Sequence, residues 1–246
     1  MTPIPPPFDD VEVRQALNLA LDRDRVVQIL GGPEAMSPTC QQLPPNFPGY
    51  EPYCPYTMDP GPDGEGSWTA PNLEEAKRLV RRSGTTGMRV SLEYPPAFWP
   101  QGGPLADYLL ELLDELGYRG SVRTLPHEVF YDRRNDFQMA LAGFGADYPA
   151  ASTLISNFHT CGASGTPMSG FCDREIDAMI RRATQMQVDD PAAAGALWAE
   201  IDRAIVDQAP YLWLVNPINV AFVSEPVGNY QSSLQWEILL NQLWVR

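Results

Sequence analysis

A chain of 246 residues with 44% hydrophobic composition can bury a sizeable core, as one large or two small domains, and is too apolar for disorder. Its 31 acidic against 17 basic residues give a formal charge of -14, which disfavours nucleic acid and anionic lipid, since both need clustered Lys and Arg. No run reaches the roughly 18 apolar residues of a membrane span, and residues 1–8 lack the basic start and apolar centre of a signal peptide, as they would in a piece of a longer exported protein.

In chain order, residues 10–30 read as one helix. Val13, Ala16, Leu17, Ala20, Leu21, Val27 and Leu30 form its apolar face, and Gly31-Gly32-Pro33 ends it. Residues 33–71 follow as a long loop that carries many of the 25 prolines, with Asp59 to Gly66 its most polar part. Asn72 is placed to cap a helix from Leu73 to Ser83, with Glu75 at the third helical position for a capping box and Gly84 beyond its end.

Met88 to Tyr94 alternates Val90 and Leu92 with polar residues, the pattern of a strand with one buried face. A helix over Gly103 to Leu116 repeats Leu105, Leu109, Leu112, Leu113 and Leu116 at helical spacing. Ser121 to Leu125 reads as a second strand and His127 to Arg133 as a turn of helix. Phe137 to Phe144 reads as a third strand, apolar enough for a central position covered on both faces. Strand, helix, strand, short helix, strand is the order of a mainly parallel α/β sheet.

Phe144-Gly-Ala-Asp147-Tyr148-Pro149 then delivers a carboxylate just past a strand, where open α/β sheets meet ligands. Neither a nucleophile nor a phosphate loop is near it. Asp147 is therefore read as the anion for a cationic ligand group, against the alternative of a residue that caps the next helix. Phe144 and Tyr148 are aromatic candidates for stacking on a ligand, Phe144 having a core alternative. Phe98 and Trp99, in the loop after the first strand, are candidates on the same ground, with the alternative that they anchor a proline-rich loop. Asn157 and His159 either donate to a ligand or satisfy nearby backbone.

Ala150 to Phe158 reads as a short helix. Asp173 caps a helix from Arg174 to Gln187, and another runs from Asp190 or Pro191 to Gln208. Tyr211 to Val215, Val220 to Val223, Val227 to Tyr230 and parts of Leu234 to Val245 are short strand candidates. Leu239, Leu240, Leu243, Trp244 and Val245 call for a partner surface. Arg81-Arg82, Arg133-Arg134 and Arg181-Arg182 sit near acidic residues and read as solvated faces.

Cys40 and Cys54 flank one irregular loop, Cys161 and Cys172 another. Closing each locally would remove about 3 kcal/mol of unfolded-state freedom on the chain-entropy model, which predicts two disulfides and an oxidising compartment. Zinc is the competing account, but no pair has Cys-x2-Cys spacing. No catalytic residue, metal site or cofactor is expected. A glycoside hydrolase-like enzyme would need two carboxylates across a cleft, and nothing selects such a pair.

Phe8-Asp-Asp-Val-Glu-Val-Arg-Gln-Ala-Leu-Asn-Leu-Ala-Leu-Asp-Arg23 resembles a segment of the extracellular solute-binding proteins of family 5, the dipeptide and oligopeptide receptors of ABC importers. Gln42 to Tyr50, Leu73 to Ser83, Gly145-Ala-Asp-Tyr-Pro149 and Phe171 to Asp177 match further landmarks in the family's order. The resemblance implies an α/β fold of the type II periplasmic-binding-protein-like class. It covers the second, C-terminal lobe only, with a mainly parallel central sheet and helices on both faces. Residues 1–216 would form that lobe and residues 217–246 would return toward the N-terminal lobe of the same parent protein, which lies outside this chain.

Function, on the same resemblance, is capture of a small extracellular solute, most readily a short peptide, between two lobes and its delivery to ABC transporter membrane subunits. Asp147 matches the aspartate that pairs with a peptide's α-ammonium group. The family often continues with Asp-Pro, where this chain has Pro149-Ala150-Ala151. That departure keeps other solutes open, among them a metal complex, a sugar or an opine; a protein-docking domain without ligand is a further alternative. Location would be extracellular, at the cell surface or in the periplasm, membrane-tethered in the full-length protein.

Overall fold

In the computed structural model, which describes residues 4–97, 101–132, 137–162, 169–233 and 237–246, the first helical stretch is two helices. Asp10 caps α1 (Val11–Ala20) by accepting the Glu12 N–H at 2.9 Å, and Asp22 caps α2 (Arg23–Ile29) by accepting the Arg25 N–H at 3.0 Å. The expected single helix breaks at Leu21 and Asp22, both in extended backbone. An aspartate that can hydrogen-bond the following turn competes with helix continuation. The break also directs Arg23 into the interior.

Within the expected 33–71 loop, β1 (Met36–Pro38) pairs antiparallel with β5 (Val215–Pro217), tying that loop to a segment far along the chain, Ser37 opposite Asn216 across 179 positions. The rest of that loop is drawn in by the Cys40–Cys54 disulfide and a bridge between Tyr53 and Glu65. Asn72 caps α3 (Leu73–Ser83) through the Glu75 N–H at 3.2 Å, as the sequence predicts. The Glu75 side chain does not reach back to close a capping box; it pairs with Arg78. Gly84 ends the helix at φ +71°, a conformation glycine adopts without steric cost.

The parallel sheet is built from β2 (Arg89–Tyr94), β3 (Arg119–Thr124) and β4 (Met139–Ala140), in the order β3-β2-β4. α4 (Gly102–Glu115) crosses from β2 to β3, and α5 (His127–Asp132) lies between β3 and β4. A Cβ on Gly120 would meet Leu110 of α4 at 2.7 Å, so that glycine lets helix and sheet approach closely.

The central strand is β2, with Val90, Leu92, Glu93 and Tyr94 all buried. This corrects the placement of residues 137–144 at the centre. β4 is a two-residue edge whose last ladder contact is the Leu141 N–H to the Glu93 carbonyl at 3.0 Å. Beyond it come Ala142 and Gly143, too small to pack a sheet surface, and the chain leaves the ladder.

α6 (Ala151–His159), α7 (Arg174–Asp189) and α8 (Pro191–Gln208) complete the layer, α7 packing on α8 and α6 on α7. Asp173 accepts the Glu175 and Ile176 N–H groups, and Asp190 that of Ala193. One core joins α1, α3, β2, α4, α6, α7 and α8.

Downstream, the strand expected at Tyr211 to Val215 begins only at Val215, because Tyr211 and Trp213 turn into the aromatic core. Val220 to Val223 forms no strand, and Phe222 is 96% exposed, no strand among the described residues lying beside it. β6 (Val227–Gly228) pairs with β9 (Trp244–Val245), and β7 (Ser232–Ser233) with β8 (Glu237–Ile238).

Candidate functional site

The loop from Leu141 to Ala150 leaves the carboxyl end of the parallel sheet and enters α6. Leu141 is buried, and Ala142 to Gly145 are exposed. Asp147 is anchored by its backbone: its N–H donates to Thr153 Oγ1 at 3.1 Å, and Thr153 is fully buried in the first turn of α6. Its carboxylate is exposed, with no hydrogen bond or ion pair from any described residue. The helix cap position belongs to Ala150, so Asp147 does not spend its carboxylate on capping α6.

Phe144 and Tyr148 flank it, each 47% exposed. Phe144 stands edge-on to Phe158 of α6 at 4.7 Å, and Phe158 in turn touches Tyr211 at 6.2 Å. Phe144 is thus seated on the core by one edge and open on the other side, combining the two readings of its sequence position. The Tyr148 hydroxyl accepts from Ser152 at 3.3 Å. Phe98 and Trp99 lie outside the described residues. Tyr94, from the same region, is a core residue.

His159 cannot face a ligand. It is fully buried, its Nε2 lies 3.4 Å from Gln42 Oε1, and burial lowers its pKa to about 3, so it is neutral. Asn157 donates to the Thr153 carbonyl at 2.8 Å. Tyr211 is buried beside His159, and burial raises its hydroxyl to about 12.

A feature the sequence reading missed is a cleft of about 380 Å³ between α6 and α7, with Tyr148 at its rim. Ser152, Ser156 and Thr160 line one wall, and Arg181 and Thr184 the other. The fourfold spacing of the three hydroxyl residues, which puts them on one helix face, was the available signal. Arg181 is ion-paired to Asp177, which also accepts the Cys161 N–H at 3.1 Å.

Both cysteine pairs are bonded, Cys40 to Cys54 and Cys161 to Cys172. Among the described residues no three His, Cys, Asp or Glu side chains are grouped to hold a metal ion, and no helix is long and apolar enough to cross a membrane.

Comparison with known proteins identifies the family and the fold. The family described as "Bacterial extracellular solute-binding proteins, family 5 Middle" matches residues 2–166. Di/tripeptide-binding protein 2 of Pseudomonas aeruginosa is 24% identical over 234 residues, covering 92% of this chain and 41% of that protein. The probable deoxycholate-binding periplasmic protein YgiS of Escherichia coli is 26% identical over 232 residues, covering 92% and 40%. The periplasmic binding protein DppA of Helicobacter pylori, solved in complex with the peptide STSA, superposes with a TM-score of 0.79 at 19% identity, covering 100% of this chain and 46% of that one. This chain thus spans about two-fifths of the length of the curated relatives it matches.

Proposed function

This chain belongs to family 5 of the bacterial extracellular solute-binding proteins, with their type II periplasmic-binding-protein fold, and on that footing we propose that it captures a small amine-bearing solute, a short peptide first among them. The family binds solutes rather than transforming them. The observation that carries the reading is the Asp147 carboxylate, held at the carboxyl end of the parallel sheet by its own backbone while its oxygens stay exposed and unpaired among the described residues. A ligand ammonium at about 4 Å would gain only about 1 kcal/mol in open water but about 4 kcal/mol in a partly desolvated cleft, so closure of a second wall gives the pair its strength.

Residues 1–216 are, in this proposal, the second lobe of a bilobal receptor, and residues 217–246 run back toward the first lobe. The exposed Val220 and Phe222 are consistent with a segment that packs on something outside this chain. Tyr148 and Phe144 supply aromatic walls, with Phe98 and Trp99 as further candidates. The receptor would work outside the cytoplasmic membrane, tethered to it, and hand its solute to ABC transporter membrane subunits.

One observation favours a second reading. Pro149-Ala150-Ala151 stands where an acidic residue often follows in the family, and a curated relative is named for deoxycholate, which has no amine. A non-peptide solute is the alternative.

Native mass spectrometry of the natural-length protein, purified gently from its own source, tests both. A retained peptide supports the first reading. Titration calorimetry should then show di- and tripeptides binding more tightly than their N-acetylated forms, by about tenfold or more. A retained solute without an amine, or equal affinity for acetylated peptides, would overturn the role assigned to Asp147.

A further inference from the structure

We propose that the outer edge of β3 docks an extended, acidic segment of a partner protein. This strand has no neighbour on its far side in the described sheet. The N–H groups of Arg119 and Leu125 donate to the Met88 and Tyr94 carbonyls of the β2 side, so the odd-numbered residues of the strand face β2. In a parallel ladder the alternate residues, Gly120, Val122 and Thr124, then carry their N–H and C=O groups outward. All six residues of the strand are exposed. An edge six residues long is a ready template for a further strand to pair along it.

Charge states what kind of segment fits. In a chain of charge -14, Arg89 and Arg119 are direct register partners on β2 and β3, both exposed. Neither guanidinium has an ion pair or hydrogen bond with any described residue. Two like charges on strands about 4.8 Å apart repel, and no carboxylate of a described residue answers this pair. Arg123, two pleats further on the same face, is exposed and reaches Glu93 at 2.9 Å. Cover on that face includes Glu93, which is buried, but stops before Ser121. On the opposite face Val122 is 43% exposed.

A complementary strand therefore alternates acidic residues, over Arg119 and Arg123, with β-branched ones beside Val122. The protein's overall negative charge is screened beyond about 8 Å at physiological salt, so the local row of arginines governs the encounter. A second copy of this chain does not fit, because β3 paired antiparallel with itself would put both sets of arginines on one face. The rim lies along the sheet edge and includes the amino ends of β2 and β3, whereas Asp147 follows the carboxyl end of β4; the two sites stand or fall separately.

The probe is an acetylated, amidated heptapeptide, Thr-Glu-Val-Glu-Val-Glu-Thr, titrated into the 246-residue chain and followed by amide chemical shifts. Saturable binding is expected, with shifts centred on residues 119–125. A peptide with proline for both valines, equal in charge but unable to pair, should bind at least about tenfold more weakly, as should one with lysine for glutamate. The double variant Arg89→Ser, Arg119→Ser should lose a similar factor with an unchanged circular dichroism spectrum, both side chains being exposed. No binding of the acidic peptide, equal binding of the proline peptide, undiminished binding by the double variant, shifts centred elsewhere, or a dimer of this chain formed through β3 would each overturn the assignment.

Discussion

Asp202 of α8 and Gln41 of the first disulfide loop are joined side chain to side chain at 2.7 Å across 161 positions of sequence. The same carboxylate accepts the Gln42 N–H at 3.1 Å and the Leu43 N–H at 3.3 Å. Gln41 passes the connection on, donating to the Glu51 carbonyl and accepting from the Tyr53 N–H at 2.8 Å. One buried acid thus organises a loop with almost no regular structure of its own, which the disulfide closes at the same point. Asp202→Ala should cost about 3 kcal/mol in urea unfolding, because it leaves the Gln42 and Leu43 N–H groups without an acceptor and takes one of two acceptors from the Gln41 amide.

The pH dependence of that contact has a definite sign. Burial raises the Asp202 carboxyl from 3.8 to about 6, the three donors pulling it only partly back. Below pH 4 both folded and unfolded chains hold the proton; between 4 and 6 the folded chain alone holds it. The stabilising contribution is therefore complete at the acid end and is lost as pH rises through 6. Unfolding of the parent and Asp202→Asn at pH 4.5 and 7 checks this. The parent should gain on the variant by about 2 kcal/mol at the lower pH.

Arg23 is buried with no carboxylate partner among the described residues. Its Nε donates to the Thr39 carbonyl at 2.7 Å and the Trp213 carbonyl at 3.1 Å, and its Nη atoms to the Asn18 carbonyl and Oδ1, both at 3.2 Å. Burial lowers the guanidinium to about 9, well above neutral pH, so the cation persists. Arg23→Lys keeps the charge and loses the planar fork that reaches four acceptors. A loss of about 3 kcal/mol is expected by urea unfolding at pH 7, with no change in the disulfides.

Thr153 fixes the backbone of Asp147 from within the core. Thr153→Val removes the acceptor for the Asp147 N–H while keeping the side chain's shape, and should cost about 1 kcal/mol of stability. If Asp147 holds a ligand amine, affinity for a free-amine peptide should fall several-fold while that for its acetylated form stays level. Thr153→Ser should restore it. Calorimetry with the two peptides separates this positioning effect from general destabilisation, which would lower both affinities together.

Each disulfide closes an irregular loop, of 14 and 11 positions. Cys40→Ser with Cys54→Ser should lower stability by about 3 kcal/mol on the chain-entropy model. The Cys161, Cys172 double serine variant should lose a similar amount and also loosen the Cys161 N–H contact to Asp177. Hydrogen exchange of the backbone N–H at position 161 and along the start of α7, compared between parent and variant, reports the second effect.

The elements legible in sequence are those with local causes. Asn72, Asp173 and Asp190 start helices where predicted because a cap acts on backbone within three residues of itself. The exposed carboxylate after the third strand was placed by its motif. Misreadings share another cause. Residues 137–144 and 211–215 are apolar enough for strands, yet apolar character does not say whether a neighbouring strand exists. Leu21 carries the helix's apolar period through a position where the chain turns to bury Arg23.

Sequence by itself determined the helix starts after Asn72, Asp173 and Asp190, the alternation of strand and helix along the α/β sheet, and the cysteine pairs, since each follows from residues close together in the chain. Only tertiary structure decided that β2 is central, that His159 is sealed beneath Gln42, and that Arg89 and Arg119 share one register row. Burial and charge proximity depend on residues that meet across long separations, and no local pattern encodes which of them arrive.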